Sequence, residues 1–212
     1  MNTLTAARSH DRAAHPAGAT VLLLHGFGSH EQDLAGLGDL VSGDLSWASL
    51  RAPIALPRGG FAWFPVVTPG SPEPGPVATA TEAIWEWVDG HLGADASVIP
   101  LGFSQGGLMA TQLLRTRPHR VRATVVLGGF VQAAEQPADE ELTQLRPAVF
   151  WGRGAEDHVI AEHAIARTSQ WLPTHSTLVE RVYPGLGHGI HSEERADVRA
   201  FVAGLVSLRR GA

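Results

Sequence analysis

The chain has 212 residues and contains neither cysteine nor lysine. Without cysteine there is no disulfide, no thiol nucleophile and no thiolate-bound metal. Without lysine no side-chain amine is available for Schiff-base chemistry, so all 16 basic side chains are arginine. Long apolar runs are missing too. None approaches the roughly 20 residues that cross a bilayer, and the start of the chain carries no apolar signal core. We therefore expect a cytoplasmic protein with no stable membrane association. A basic excess is also absent. The net charge is −5, which gives no footprint for nucleic acid. What remains is ordinary for a globular chain: 44% of residues are hydrophobic, in a length that suits one domain with a sizeable core. We read residues 1–212 as that domain, with 1–18 partly irregular and holding at most a weak edge strand. The arginine-only, Ala- and Gly-rich usage suggests a high-GC bacterial genome.

Short apolar runs alternate with amphipathic ones along the chain. Thr20 to Leu24 reads as a strand buried on both faces. A glycine-rich loop, His25 to His30, follows it. Glu31 to Val41 is predicted as a helix with Leu34, Leu37, Leu40 and Val41 on one face. Further strands are predicted over 46–52, 96–101, 121–128, 148–151 and 176–183. Further helices are predicted over 77–92, 108–114, 160–172 and 192–208. Ile84, Trp87, Val88 and Leu92 of the second helix are available for burial, and the last should turn Val198, Phe201, Val202, Leu205 and Leu208 inward. Pro53 to Pro76 reads as a long functional loop. Residues 129–146 read as polar, and the acids Glu135, Asp139, Glu140 and Glu141 as a solvated face. Strands alternating with helices imply an α/β fold, a mostly parallel sheet covered on both faces.

The stretch Leu101-Gly102-Phe103-Ser104-Gln105-Gly106-Gly107 stands between one such strand and helix. A Gly-x-Ser-x-Gly turn there holds the serine in a strained conformation with its hydroxyl exposed. Alone this motif is weak. Ligands gather at the carboxyl ends of strands in such sheets, and two more candidates stand there: Asp157 in Gly152-Arg153-Gly154-Ala155-Glu156-Asp157, and His188 in Gly185-Leu186-Gly187-His188-Gly189. Serine, acid, histidine is the chain order of α/β-hydrolases. A serine hydroxyl needs a base beside it. Histidine titrates near neutrality, and the acid fixes its tautomer. Glu156 is the rival acid and His191 the rival base. Asp157 has a second reading as a cap for the following helix, and His25 reads as a structural brace. Acyl transfer also needs an oxyanion site, for which the backbone N–H groups of Phe27 and Gln105 are the candidates.

Five stretches together resemble the phospholipase/carboxylesterase family, the bacterial relatives of acyl-protein thioesterases. They are Leu24 to Leu34, Gly60-Phe61-Ala62-Trp63-Phe64, Leu101 to Gly107, Gly152 to Asp157, and Tyr183 to Gly189. The chain departs from the family's pattern in lacking a clear first strand, in Pro65, and in the prolines of 65–76. The resemblance implies an α/β-hydrolase fold, no metal, and hydrolysis of carboxylic esters or thioesters; we also expect no room for a large cap domain, and no cofactor. Phe61, Trp63 and Phe64, with Val159 and Leu186, are candidates to wall an acyl pocket. Trp63 has core packing as its alternative. The implied partner is a small-molecule ester of a small to medium apolar acid, met by a monomer or homodimer. Two alternatives stay open: a lysophospholipase or acyl-protein thioesterase with the same three residues, and a hydrolase-fold small-molecule receptor with little turnover.

Overall fold

A computed structural model of the chain describes residues 4–9, 18–43 and 45–210, with residues 206–210 described by their backbone alone. In order the elements are β1 (Ala6–Arg8), β2 (Thr20–Leu24), α1 (Ala35–Val41), β3 (Trp47–Leu50), β4 (Ile54–Ala55), β5 (Phe61–Ala62), α2 (Pro74–Leu92), β6 (Val98–Phe103), α3 (Gln105–Thr116), β7 (Ala123–Leu127), α4 (Asp139–Leu145), β8 (Ala148–Gly154), α5 (Glu162–His175), β9 (Thr177–Tyr183) and α6 (Ser192–Arg210). Seven strands form one sheet in the order β1-β3-β2-β6-β7-β8-β9. The pairs from β3 to β9 are parallel. β1 joins β3 antiparallel at the edge, with Ala7 opposite Ser49.

Both faces of the central strands are buried, and the side chains alternate between two cores. Leu22 and Leu24 of β2, Val126 of β7 and Trp151 of β8 pack with α2 and α3. Val21, Leu23, Val125, Leu127 and Phe150 pack on the other face with Leu37 of α1 and Val198 and Val202 of α6. This two-residue period with both sets buried explains why the strands are continuous apolar runs. Leu24 pairs with Gly102, Phe103 with Leu127, Leu127 with Gly152, and Gly154 with Tyr183. The carboxyl ends of five strands therefore open on one edge, and the loops after them meet there.

The weak edge strand allowed for within 1–18 is β1, whereas several other expectations need correction. Helix α1 begins at Ala35 rather than Glu31, and Leu40 is exposed. Its place against the sheet is taken by Gly38, where a Cβ would stand 2.7 Å from Leu23 and 2.9 Å from Trp47. The long loop contains a hairpin, with Ile54 opposite Ala62, and ends early because α2 starts at Pro74. A proline in the first helical turn sacrifices no hydrogen bond. Helix α5 continues through Pro173 to His175, and the Arg146 guanidinium donates to the carbonyls of Thr174, Pro173 and Ser176 at its end. The acids of 135–141 are not uniformly solvated. Asp139 accepts two hydrogen bonds from the buried Arg115 guanidinium, at 2.8 and 2.6 Å. Phe130 and Val131 of the same polar stretch are buried. Residues 1–3 and 10–17, and the side chain of Leu208, lie outside the described residues. Among the described residues no helix is long and apolar enough to cross a membrane.

Candidate active site

Ser104 is the hinge of the site. Its backbone stands at φ 54° and ψ −116°, a region that costs a non-glycine residue about 1–3 kcal/mol. Two glycines make the turn possible. A Cβ on Gly102 would lie 2.0 Å from the Gly106 carbonyl oxygen, and one on Gly106 would lie 1.9 Å from that of Leu24. The Ser104 N–H donates to Leu127 O at 2.9 Å, which ties the turn to β7. Helix α3 then begins at Gln105, so its free N–H groups and positive end adjoin the serine.

His188 bridges Ser104 and Asp157. Its Nε2 stands 2.9 Å from Ser104 Oγ and its Nδ1 stands 2.7 Å from Asp157 Oδ2. The carboxylate fixes the proton on Nδ1 and leaves Nε2 to accept from the serine. Asp157 Oδ1 accepts the N–H groups of Val159 and Ile160 at 2.9 and 3.2 Å. Asp157 thus braces the turn before α5 with one oxygen and meets His188 with the other, but it does not cap the helix, whose first residue is Glu162. The rivals stand elsewhere. Glu156 is exposed, and the His191 Nδ1 accepts the N–H of Glu193 at 3.3 Å, which places it at the start of α6. The imidazole of His188 lies on Phe103, with ring centroids 4.9 Å apart.

The glycine-rich loop crosses this turn. A Cβ on Gly26 would meet Phe103 at 3.1 Å and Ser104 Cβ at 3.5 Å. His25 is fully buried beneath it. Its Nε2 accepts the N–H of Ala52 at 3.1 Å, so Nδ1 carries the proton and donates to Gly26 O at 2.7 Å. Burial holds its pKa below the ordinary histidine value. Holding the Gly26 carbonyl inward turns the N–H of Phe27, on the same trans peptide, the opposite way. That N–H has no acceptor among the described residues. The loop is backed by β5, where Gly28 donates to Phe61 and Phe61 to Ser29, both at 2.9 Å.

The aromatic wall expected here is rearranged. Trp63 and Phe64 are 1% and 3% exposed, so they belong to the core and present no surface to a ligand. Trp63 Nε1 donates to His25 O at 2.9 Å. Phe61 is half-buried and carries the Arg51 guanidinium 4.7 Å from its ring centroid. Arg51 is in turn neutralised by Glu31 at 2.6 Å. Leu186 is half-buried, and Val159 is 62% exposed. A surface hollow of about 540 Å³ along α6 and one of about 560 Å³ beside Arg115 contain none of Ser104, Asp157 or His188.

The sequence model of the phospholipase/carboxylesterase family matches residues 10–206. The chain belongs to the phospholipase/carboxylesterase family. Among curated relatives of this family member, an acyl-protein thioesterase 1 from Debaryomyces hansenii is 25% identical, over 89% of this chain and 92% of its own. A probable carboxylesterase from Oryza sativa is 24% identical, over 72% of this chain and 62% of its own. Among solved structures, the Bacillus cereus carboxylesterase superposes with a TM-score of 0.80 at 18% identity, covering 95% of this chain and 94% of that one. A Mesorhizobium loti carboxylesterase gives 0.71 at 23%, covering 88% of each chain. The fold is that of an α/β-hydrolase with no large cap.

Within this family framework, sequence reasoning missed the role of the Gln105 side chain. Its Oε1 accepts the Trp63 N–H at 2.8 Å and its Nε2 donates to Phe64 O at 2.7 Å. One amide thereby clamps the aromatic segment to the turn that carries Ser104. A polar residue at the first buried position of a helix was the only available signal.

Proposed function

We propose that the protein hydrolyses carboxylic esters of small to medium apolar acids through an acyl-enzyme on Ser104. The observation that carries this reading is the His188 bridge, 2.9 Å to Ser104 and 2.7 Å to Asp157. His188 Nε2 takes the hydroxyl proton as Ser104 Oγ bonds to the ester carbonyl carbon, and the carbonyl electrons move onto oxygen. The N–H groups of Phe27 and Gln105 receive that oxyanion. Each well-placed donor contributes about 3–4 kcal/mol to the transition state. When the carbonyl re-forms, the ester C–O bond breaks and Nε2–H protonates the departing alkoxide. Water then repeats the sequence and frees the acid. Asp157 remains ionised and stabilises the imidazolium in both halves.

The apolar preference is supported by two exposed side chains, Phe27, whose own N–H is the candidate oxyanion donor, and Val159, two residues after Asp157. A thioester is the second reading, favoured by the likeness to an acyl-protein thioesterase along most of both chains. The test is hydrolysis of p-nitrophenyl esters from acetate to palmitate by the wild type and Ser104→Ala. A maximum at short chains in the wild type, absent from the variant, supports the carboxylesterase. A maximum at palmitate moves the assignment to long-chain substrates. Equal turnover by both proteins removes it.

A further inference from the structure

Helix α6 opens with Ser192-Glu193-Glu194-Arg195, a sequence that reads as solvated. Glu194 is instead fully buried. Its carboxyl lies against β8, where a Cβ added to Gly152 would stand 2.2 Å from Oε1 and 3.1 Å from Cδ. Oε2 accepts the N–H of His191 at 3.4 Å. Oε1 has no partner. No arginine or histidine among the described residues stands within ion-pair distance of either oxygen. The groups that face it are Asp197 on its own helix, Tyr183 at the end of β9, which donates to Asp197 at 2.9 Å, and His191. Arg181 approaches Asp197 at 3.8 Å, not Glu194.

The two residues this carboxyl meets, Gly152 and His191, lead into the two loops of the site. Gly152 precedes Asp157 by five residues, and His191 follows His188 by three. A second contact path is shorter. Gly152 O accepts the Gly128 N–H at 2.8 Å, and a Cβ on Gly128 would lie 3.5 Å from the His188 imidazole. We propose that Glu194 is a positioning residue for His188: its uncharged carboxyl closes the joint between β8 and α6, and ionisation opens that joint and withdraws the imidazole from Ser104. The proposal rests on the reading of His188 as the base. Burial and then the neighbouring Asp197 raise the Glu194 pKa to about 7, against the one opposing contact from the His191 N–H. The joint is therefore closed below neutrality and strained above it.

The test compares wild type, Glu194→Gln and Glu194→Asp in the pH dependence of kcat and KM and of the urea midpoint. Glutamine keeps the shape and never ionises. In the wild type the folding equilibrium should weaken by on the order of a hundredfold from about pH 5 to pH 8, and kcat should fall above neutrality with KM little changed. Glu194→Gln should flatten both profiles, and Glu194→Asp, which still ionises but falls short of Gly152, should keep a kcat that falls as pH rises. A flattened stability profile with an unaltered kcat profile makes Glu194 structural only and overturns the proposal. Should Glu194→Gln fail to fold, the Glu194 carboxyl carbon is followed by NMR in the wild type, together with the His188 ring signals. Titration in the ordinary glutamate range, or of Glu194 without a matched shift of His188, likewise overturns it. Failure of the nucleophile assignment would appear separately, as hydrolysis retained in Ser104→Ala with these stability profiles intact.

Discussion

Replacing Gln105 by leucine isolates the clamp between the Ser104 turn and the aromatic segment. Leucine is close in volume, and the backbone N–H of residue 105 is untouched. Two hydrogen bonds disappear, one of 2.8 Å from the Trp63 N–H and one of 2.7 Å to Phe64 O. Gln105, Trp63 and Phe64 are all buried, so both backbone groups are left without water. Each orphaned group costs about 1–3 kcal/mol, and the apolar gain of leucine offsets part of that. A net loss of about 2–4 kcal/mol is expected, a large share of the roughly 5–15 kcal/mol that holds a domain together. Urea unfolding followed by tryptophan fluorescence measures it as a lower midpoint at constant slope. Gln105→Glu is the control, since it retains the acceptor for Trp63 but turns an acceptor on Phe64 O. It should be more stable relative to the wild type in acid, where a protonated carboxyl donates. If Gln105→Leu unfolds within about 0.5 kcal/mol of the wild type, the clamp does not hold the segment and the reasoning fails.

Trp63→Phe removes the bond to His25 O and should cost about 1–2 kcal/mol in the same melts. It should leave acyl-chain preference unchanged, because the ring has no face towards substrate. Arg115→Met strands the Asp139 carboxylate and the carbonyls of Gln132 and Ala134, with an expected loss of about 3–5 kcal/mol. Adding Asp139→Asn should recover part of it. Gly106→Ala drives a methyl to 1.9 Å from Leu24 O, so soluble folded protein should be lost on expression. Stability should also depend on pH through Glu194. Its pKa is raised on folding from 4.5 to about 7, so the native state holds the proton more tightly than the unfolded chain. That contribution is complete below pH 4.5 and is lost as pH rises to about 7, about 3 kcal/mol in urea unfolding at the two ends.

The alternation of elements and the turn at Ser104 were legible because their causes are local. Apolar runs of strand length specify buried parallel strands, and Gly102 and Gly106 are dictated by contacts within the turn or with the adjacent strand. The positions of Asp157 and His188 followed from strand ends, since parallel strands deliver their following loops to one edge. What was hidden depends on distant partners. Helix α1 rotates because Gly38 rests on Leu23 and Trp47, which turns Leu40 outward. Trp63 and Phe64 lie in a Pro- and Gly-rich stretch without periodicity, and their burial is settled by Gln105 some 40 positions away. Asp139 looked like one acid among several until Arg115 was seen to reach it from α3. The burial of Glu194 has no sequence signal, because its neighbours are polar and the glycine that admits it lies on another strand.

The central claim is the covalent intermediate on Ser104, and intact-mass measurement after acid quench during turnover of p-nitrophenyl butyrate tests it most directly. The account predicts one butyryl group on the wild type, mapped to the peptide that contains Ser104, and neither adduct nor turnover in Ser104→Ala. Turnover by Ser104→Ala at the wild-type rate, or a butyryl group on any other residue, would contradict it.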